Sequence, residues 1–329
     1  GLAFGLSGYL VARSAFLSIN AAAAWLPWIL FCSTALVQGM AGHSRHRSEI
    51  TGPISGARFP WKPFLGLTAC LTMQLLAGHA QTAWYTLLLS GMWLIFWGIF
   101  YAPQCIPPRQ RFWQAARPLI VFGLAVLSAV CLAAVQLLPT VEYLLQSQRS
   151  AAVDYELAMN YSFWPWPLLT LFTPEIFGNP AVGDYWGYAN YWEDAFYVGF
   201  LPAVFALAAI WRSLKPSGRR TAQSSEIPGT NRSLVFFLLV LLGITLLLAL
   251  GRNTPVFPWL FEHVPTFSMF QAPARYLLWG SFAVALLAGI ALHSWVRPRG
   301  RQLHNLRLAL LGAIEILVGA FAGWIFLGD

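Results

Sequence analysis

The chain has 329 residues, of which 58% are hydrophobic and only 10% charged, with a net charge of +8; soluble domains carry about 25% charged residues. That balance, with a mean hydropathy of +0.60, excludes a soluble globular enzyme and assigns the chain to the membrane class. The basic excess does not indicate a nucleic-acid partner, because Lys and Arg are divided among short loops between apolar runs, where they report topology.

Crossing the hydrocarbon takes about 20 apolar residues, and the backbone there is satisfied only in a helix or a closed barrel. The runs here predict an all-α fold, a polytopic transmembrane helical bundle of about nine spans. They lie near residues 2 to 12, 16 to 40, 63 to 78, 82 to 102, 118 to 138, 197 to 211, 233 to 250, 275 to 293 and 308 to 327. The first is truncated, so the chain reads as a fragment of a longer protein. Gly78 and His79 fall where two runs nearly touch, which predicts a tight hairpin. No soluble domain boundary is visible, and residues 1 to 329 read as one transmembrane domain. Within it, 139 to 196 is a large extracytoplasmic loop and 212 to 232 a polar cytoplasmic linker. Pro165 to Phe172 is expected to form a short interfacial helix.

Orientation follows from the cations. The loops 41 to 62, 103 to 117, 212 to 232 and 296 to 307 hold sixteen of the twenty Lys and Arg, which makes them cytoplasmic. Eight of the twelve acids lie on the complementary side: Glu142, Asp154, Glu156, Glu175, Asp184, Glu193, Asp194 and Glu262. The expected location is therefore a bacterial cytoplasmic membrane, crossed many times, with the active face outside.

Cys32, Cys70, Cys105 and Cys131 have no paired spacing, and the six histidines form no ligand pattern. No disulfide framework or metal site is expected, and no cofactor is assigned beyond a possible divalent cation. Glu315, inside the last run, pairs with His293 or stays protonated on this reading.

Three outer stretches carry polar chemistry. In LLPTVEYLLQSQRS, Glu142 and Arg149 are seven residues apart, which two helical turns place on one face. In YANYWEDAFYVGFLP, Glu193 and Asp194 adjoin at a membrane entry; repulsion would raise one pKa for proton transfer, or both would hold a cation. In GRNTPVFPWLFEHVPTFSMFQAPARYLLW, Arg252 and Arg275 run against the positive-inside bias and call for a carboxylate or phosphate partner. His79 and Gln81 are either donors to a ligand hydroxyl or hairpin caps. The Trp and Tyr excess on this side is partly the ordinary aromatic belt.

The strings AFGLSGYLVARSAFLSINAAAAWLPW, QLLAGHAQTAWYTLL, QLLPTVEYLLQSQRS, YWEDAFYVGFLP and GRNTPVFPWLFEHVPTFSMFQAPARY, in that order, resemble the bacterial YfhO-like membrane protein family within the C-type (GT-C) glycosyltransferase superfamily. The resemblance implies a polytopic enzyme that transfers a sugar from a polyprenyl-phosphate donor to a cell-envelope polymer or lipid acceptor outside the cytoplasm. On it, Arg275, Arg252 and Arg149 bind the donor phosphate, and Glu193 or Asp194 serves as base, with the main acid upstream of residue 1. His79, Gln81, Glu142, Tyr188, Tyr191, Trp192 and His263 contact sugar or acceptor. Gln271 stands where the family usually has Arg. The alternatives are a lipid or polysaccharide transporter or flippase, and a non-catalytic scaffold subunit of an envelope assembly.

Overall fold

In a computed structural model, residues 1–49, 59–101, 108–147, 154–171, 173–187, 190–214 and 230–296 are described. The expected span at 308 to 327 with Glu315, and the candidate residues Arg149 and Tyr188, lie outside them.

Backbone groups that cannot reach water must be paired within their own segment, and every regular element among the described residues is helical. Two single-turn helices, Leu2–Gly5 (α1) and Gly8–Val11 (α2), come first. The stretch 2 to 12 is thus broken at Leu6 and Ser7 rather than forming one continuous span. Leu17–Ala24 (α3) runs on through Trp25 into Leu26–Glu49 (α4). Trp61–Leu76 (α5) and Ala80–Tyr101 (α6) form the expected hairpin, turned at Gly78, whose φ of +73° is open to glycine at no steric penalty. Pro108–Leu132 (α7) is followed by Ala134–Gln146 (α8), bent from it by 79°.

The segment that follows carries Tyr155–Met159 (α9), a 3-10 turn over Trp166–Leu171, where a short helix was expected, and Tyr191–Asp194 (α10). Phe200–Leu214 (α11), Thr230–Ala249 (α12), Val256–His263 (α13) and Leu277–Val296 (α14) complete the order. Three further 3-10 turns, Gly251–Asn253, Phe267–Met269 and Pro273–Tyr276, connect α12 to α14 around α13.

By length and composition four helical stretches among the described residues can cross a membrane: Leu17–Met40, Ala80–Phe100, Arg232–Ala249 and Pro273–His293. The bent pair of α7 and α8 makes a fifth if counted as one span. This is the composition of a multi-pass membrane protein.

The chain divides into two compact units, Gly1–Gly199 with Leu239–Ala283, and Phe200–Leu238 with Val284–Asp329. In the first, α4 to α7 pack on one another. Small residues permit close approach, as membrane helices need when lipid offers no hydrophobic drive. Ala125 and Ala129 on α7, and Ala133 just beyond its end, recur every fourth residue and are fully buried, and a Cβ added at Gly66 of α5 would sit 3.3 Å from Cys32 Sγ of α4. Two of the larger polar side chains inside this packing find partners. Gln74 donates to the Ala22 carbonyl (2.8 Å) and to Thr86 Oγ1 (2.9 Å), and Trp93 Nε1 donates to Thr34 Oγ1 (2.8 Å). In the second unit, α11 buries Ala203, Ala206 and Ala209, and Phe205 meets Trp295 at 5.7 Å.

Candidate functional site

The site is assembled from turns at the ends of helices, and its centre is Glu193. α10 is a single turn begun by Asn190, whose Oδ1 accepts from the Glu193 amide at 2.9 Å. This cap sets the helix so that Glu193 and Asp194 point inward, only 2% and 6% exposed, while Trp192 stays 37% exposed. A carboxylate so buried needs charged or hydrogen-bonding partners, and Glu193 has two arginines.

Arg13 supplies one. It lies in the turn after α2, which Asn20 closes by donating to the carbonyls of Leu10 (3.1 Å) and Arg13 (3.0 Å). Its guanidinium is fully buried, lies 3.9 Å over the Tyr9 ring, donates from Nη1 to the Tyr9 carbonyl (3.1 Å), and gives Nη2 to Glu193 Oε2 at 2.7 Å. Its Nε has no partner.

Arg275 supplies the other. It sits in the 3-10 turn Pro273–Tyr276 that opens into α14, and both Nε and Nη2 lie 3.0 Å from Glu193 Oε1. Each arginine therefore takes one oxygen. Arg275 Nη1 donates to Gln81 Oε1 at 2.8 Å, and Gln81 Nε2 in turn donates to Tyr85 Oη (2.7 Å) and to the Gln271 carbonyl. Tyr9 Oη donates to the Arg275 carbonyl at 3.2 Å.

The loop 158–163 holds this turn in place. Ala272 and Ala274 amides donate to the carbonyls of Ala158 and Tyr161, and the Phe163 amide to that of Ala249. Asn253 Nδ2 reaches the Phe163 carbonyl at 2.8 Å, and the Arg252 amide reaches Ser162 Oγ at 3.0 Å. Gly251 is held at φ +51°, and a Cβ there would lie 2.2 Å from Ser162 Oγ and 2.9 Å from Pro273 Cγ. Ala272, fully buried, adopts φ +64°, a conformation that an L-residue occupies at a cost of about 1 kcal/mol.

Electrostatics follow from this geometry. Burial alone would push the Glu193 carboxyl up; the charges and hydrogen bonds of Arg13 and Arg275 outweigh it and hold the pKa below the ordinary carboxylate value. Burial, and then the positive charges of Arg275 and Arg13, bring His79 down to about 4, so it is neutral at pH 7. Two guanidiniums against one carboxylate leave the Glu193 group with one net positive charge. Burial, and then the adjacent Asp194 carboxylate, raise the pKa of Tyr185, whose Oη lies 3.4 Å from Asp194 Oδ2.

Of the residues singled out from sequence, Glu193, Arg275 and Gln81 meet directly. Glu193 is held ionised by its paired cations, so of the two adjacent carboxylates it is not the one with a raised pKa. His79 caps α6, its Nδ1 accepting from the Thr82 amide at 3.1 Å and lying 2.8 Å from Thr82 Oγ1. Tyr191 packs edge-on against Tyr185 at 6.0 Å, and Trp192 against Phe16 at 5.8 Å. Arg252 is exposed, and its backbone rather than its side chain makes the Ser162 bond. Glu142 is exposed on α8, and His263 is exposed at the end of α13, stacked on Trp259 at 5.1 Å.

Arg13 is the residue that sequence reasoning passed over. The signal was present: Arg13, Arg149, Arg252 and Arg275 are the four cations outside the four basic loops, and two of the four converge on Glu193.

An apolar cavity of about 330 Å³ opens beside the site, lined by Leu88, Met92, Ile244, Leu247, Leu248, Val256, Leu260, Phe267 and Trp279. Trp279 stands one helical turn after Arg275. Among the described residues no group of three or more His, Cys, Asp or Glu is placed to hold a metal ion. No family model, curated protein or solved structure matches the chain.

Proposed function

We propose that this chain is the membrane-embedded part of a C-type glycosyltransferase, with about nine spans, that takes a polyprenyl-phosphate sugar as donor. It glycosylates a cell-envelope acceptor at the extracytoplasmic face of a bacterial cytoplasmic membrane. The ordered strings resembling YfhO-like proteins support the class.

The observation that carries the reading is Arg275. A guanidinium has five N–H donors; three are committed to Glu193 and Gln81, and the side chain is 17% exposed. The other two and the net positive charge of the group suit a phosphate oxygen, which Arg recognises through paired, charge-assisted bonds. The partners hold the guanidinium before the ligand arrives, so little reorganisation is needed as charge develops.

In the reaction the acceptor hydroxyl attacks the anomeric carbon, and the bond from that carbon to the phosphate oxygen breaks. The electron pair leaves with the phosphate toward Arg275. Glu193, ionised and occupied by two cations, is a poor proton acceptor and acts by positioning Arg275. The hydroxyl proton goes to Asp194. Trp192 and Tyr191, on the same turn as Asp194, offer faces for a sugar. The apolar cavity one turn along α14 suits the first isoprene units of the donor.

The test is transfer of labelled sugar from a polyprenyl-phosphate donor to envelope polymer by the full-length protein. Arg275→Lys keeps a cation for Glu193 and loses the paired donors. It is expected to lower the rate by about 10²-fold or more while unfolding at an unchanged temperature in detergent. Wild-type transfer by that variant overturns the assignment. Movement of the labelled lipid across the bilayer with no sugar transferred establishes the transporter instead.

A further inference from the structure

The bend between α7 and α8 has no part in the site, yet it creates a surface. α7 is 25 residues long, and its apolar part, Ala116–Leu132, sits at the short limit of about 17 residues for crossing a bilayer. Arg109, Arg111 and Arg117 mark its cytoplasmic end. α8 leaves the other end at 79°. A helix nearly perpendicular to a spanning helix runs along the membrane plane.

At 3.6 residues per turn, Leu137, Leu138, Val141, Leu144 and Leu145 fall within an arc of about 120°. Gln136, Pro139, Thr140, Tyr143 and Gln146 occupy the opposite side, with Glu142 at the border. α8 buries none of its residues, and Leu138, Val141, Leu144 and Leu145 are 69%, 51%, 41% and 73% exposed. The opposite side is exposed as well, with Gln136 Nε2 placed 3.9 Å from where a Cβ at Gly78 would lie. This sets α8 level with the turn of the α5–α6 hairpin, at the outer end of those helices. The exposed apolar surface of α7, with Ile120, Leu124, Leu127 and Leu132, runs continuously into that of α8.

We propose that α8 is an in-plane interfacial helix whose apolar face is immersed in the outer leaflet, its occupant being phospholipid at the boundary between headgroups and acyl chains. Segregated faces, a span-perpendicular course and continuity with the lipid-facing side of α7 are the three features such a helix requires. The length, 13 residues, gives about 20 Å of contact. It places Glu142 at headgroup level, on the same side as the donor site.

The experiment uses the full chain with its four cysteines replaced by Ser, bearing single cysteines at Leu137, Val141 or Leu145, or at Thr140, Tyr143 or Gln146. Each is labelled with a bimane fluorophore and reconstituted into vesicles of phosphatidylcholine and phosphatidylglycerol carrying acyl-chain bromine. Quenching at the first three sites is expected to exceed that at the second three by about twofold or more. Similar quenching at all six overturns the proposal. So does weak quenching at Val141 and Leu145 that rises on dilution with lipid, which identifies a second copy of the chain as the occupant. Weak quenching that persists on dilution places a protein surface over the face and overturns it equally.

Discussion

Glu193 illustrates how a charge is tolerated under burial: each oxygen has its own guanidinium, and the backbone amide is tied to Asn190. Removing one partner of such a group is far more damaging than removing the set, because an unpaired buried charge remains. Glu193→Gln leaves two cations facing a neutral amide and is expected to destabilise the protein by about 3–5 kcal/mol. Arg13→Met with Glu193→Gln should lose less than the sum of the two single changes. The coupling, of order 1 kcal/mol or more, is read from thermal unfolding in detergent; strict additivity sinks the pairing. Arg13 was hidden from a reading of the sequence because its partner lies 180 residues away, and no helical or strand period links such positions. Glu193, Asp194, Gln81 and Arg275 were legible because each is a polar residue at the edge of an apolar run, where ionisable groups are rare and require a reason.

At the level of elements, the long helices were legible for the same reason that they are stable in lipid. About 20 apolar residues in sequence have one way to satisfy their backbone. The hairpin at Gly78 followed from run lengths alone. What periodicity did not reveal were the breaks: α1 and α2 are separate turns, and α7 ends at Leu132, short of Pro139 where the run was expected to leave the membrane. These breaks depend on long-range contacts, such as the Gly8 amide on the Tyr197 carbonyl. The two left-handed residues beside Arg275 respond oppositely to substitution. Gly251→Ala puts a methyl into Ser162 and Pro273 at positive φ and is expected to lose about 2 kcal/mol or more, and with it the placement of Arg275. Ala272→Gly relieves a strained position and should be neutral or stabilising by up to about 1 kcal/mol. Unfolding midpoints of the two variants test this, and equal losses would refute the argument from backbone conformation.

For the whole molecule, the convergence of Arg13, the α5–α6 hairpin, Glu193 and Arg275 concentrates buried charge in one place. It also gives stability a pH dependence with a definite sign. His79 has its folded pKa lowered to about 4 from 6.5. Its contribution is therefore complete above 6.5 and is lost as pH falls toward 4, by at most about 3 kcal/mol. Glu193, also depressed, contributes fully above its ordinary value near 4.5 and loses that contribution below it. Unfolding midpoints should fall in two stages on acidification, and His79→Gln should abolish the upper stage alone. A flat profile between pH 6.5 and 4.5 would contradict the burial of His79.

The triad of Arg13, Glu193 and Arg275 also orders events during synthesis. At about 5–20 residues per second, Glu193 is made roughly 9–36 s after Arg13, from which it is separated by 180 residues. Arg275 follows later still. For that interval the first arginine has no carboxylate to enter with, and the α2 turn has no reason to leave the membrane surface. Insertion of the α2 segment is therefore completed only by later ones, and a nascent chain that stops before residue 193 leaves Arg13 without its carboxylate.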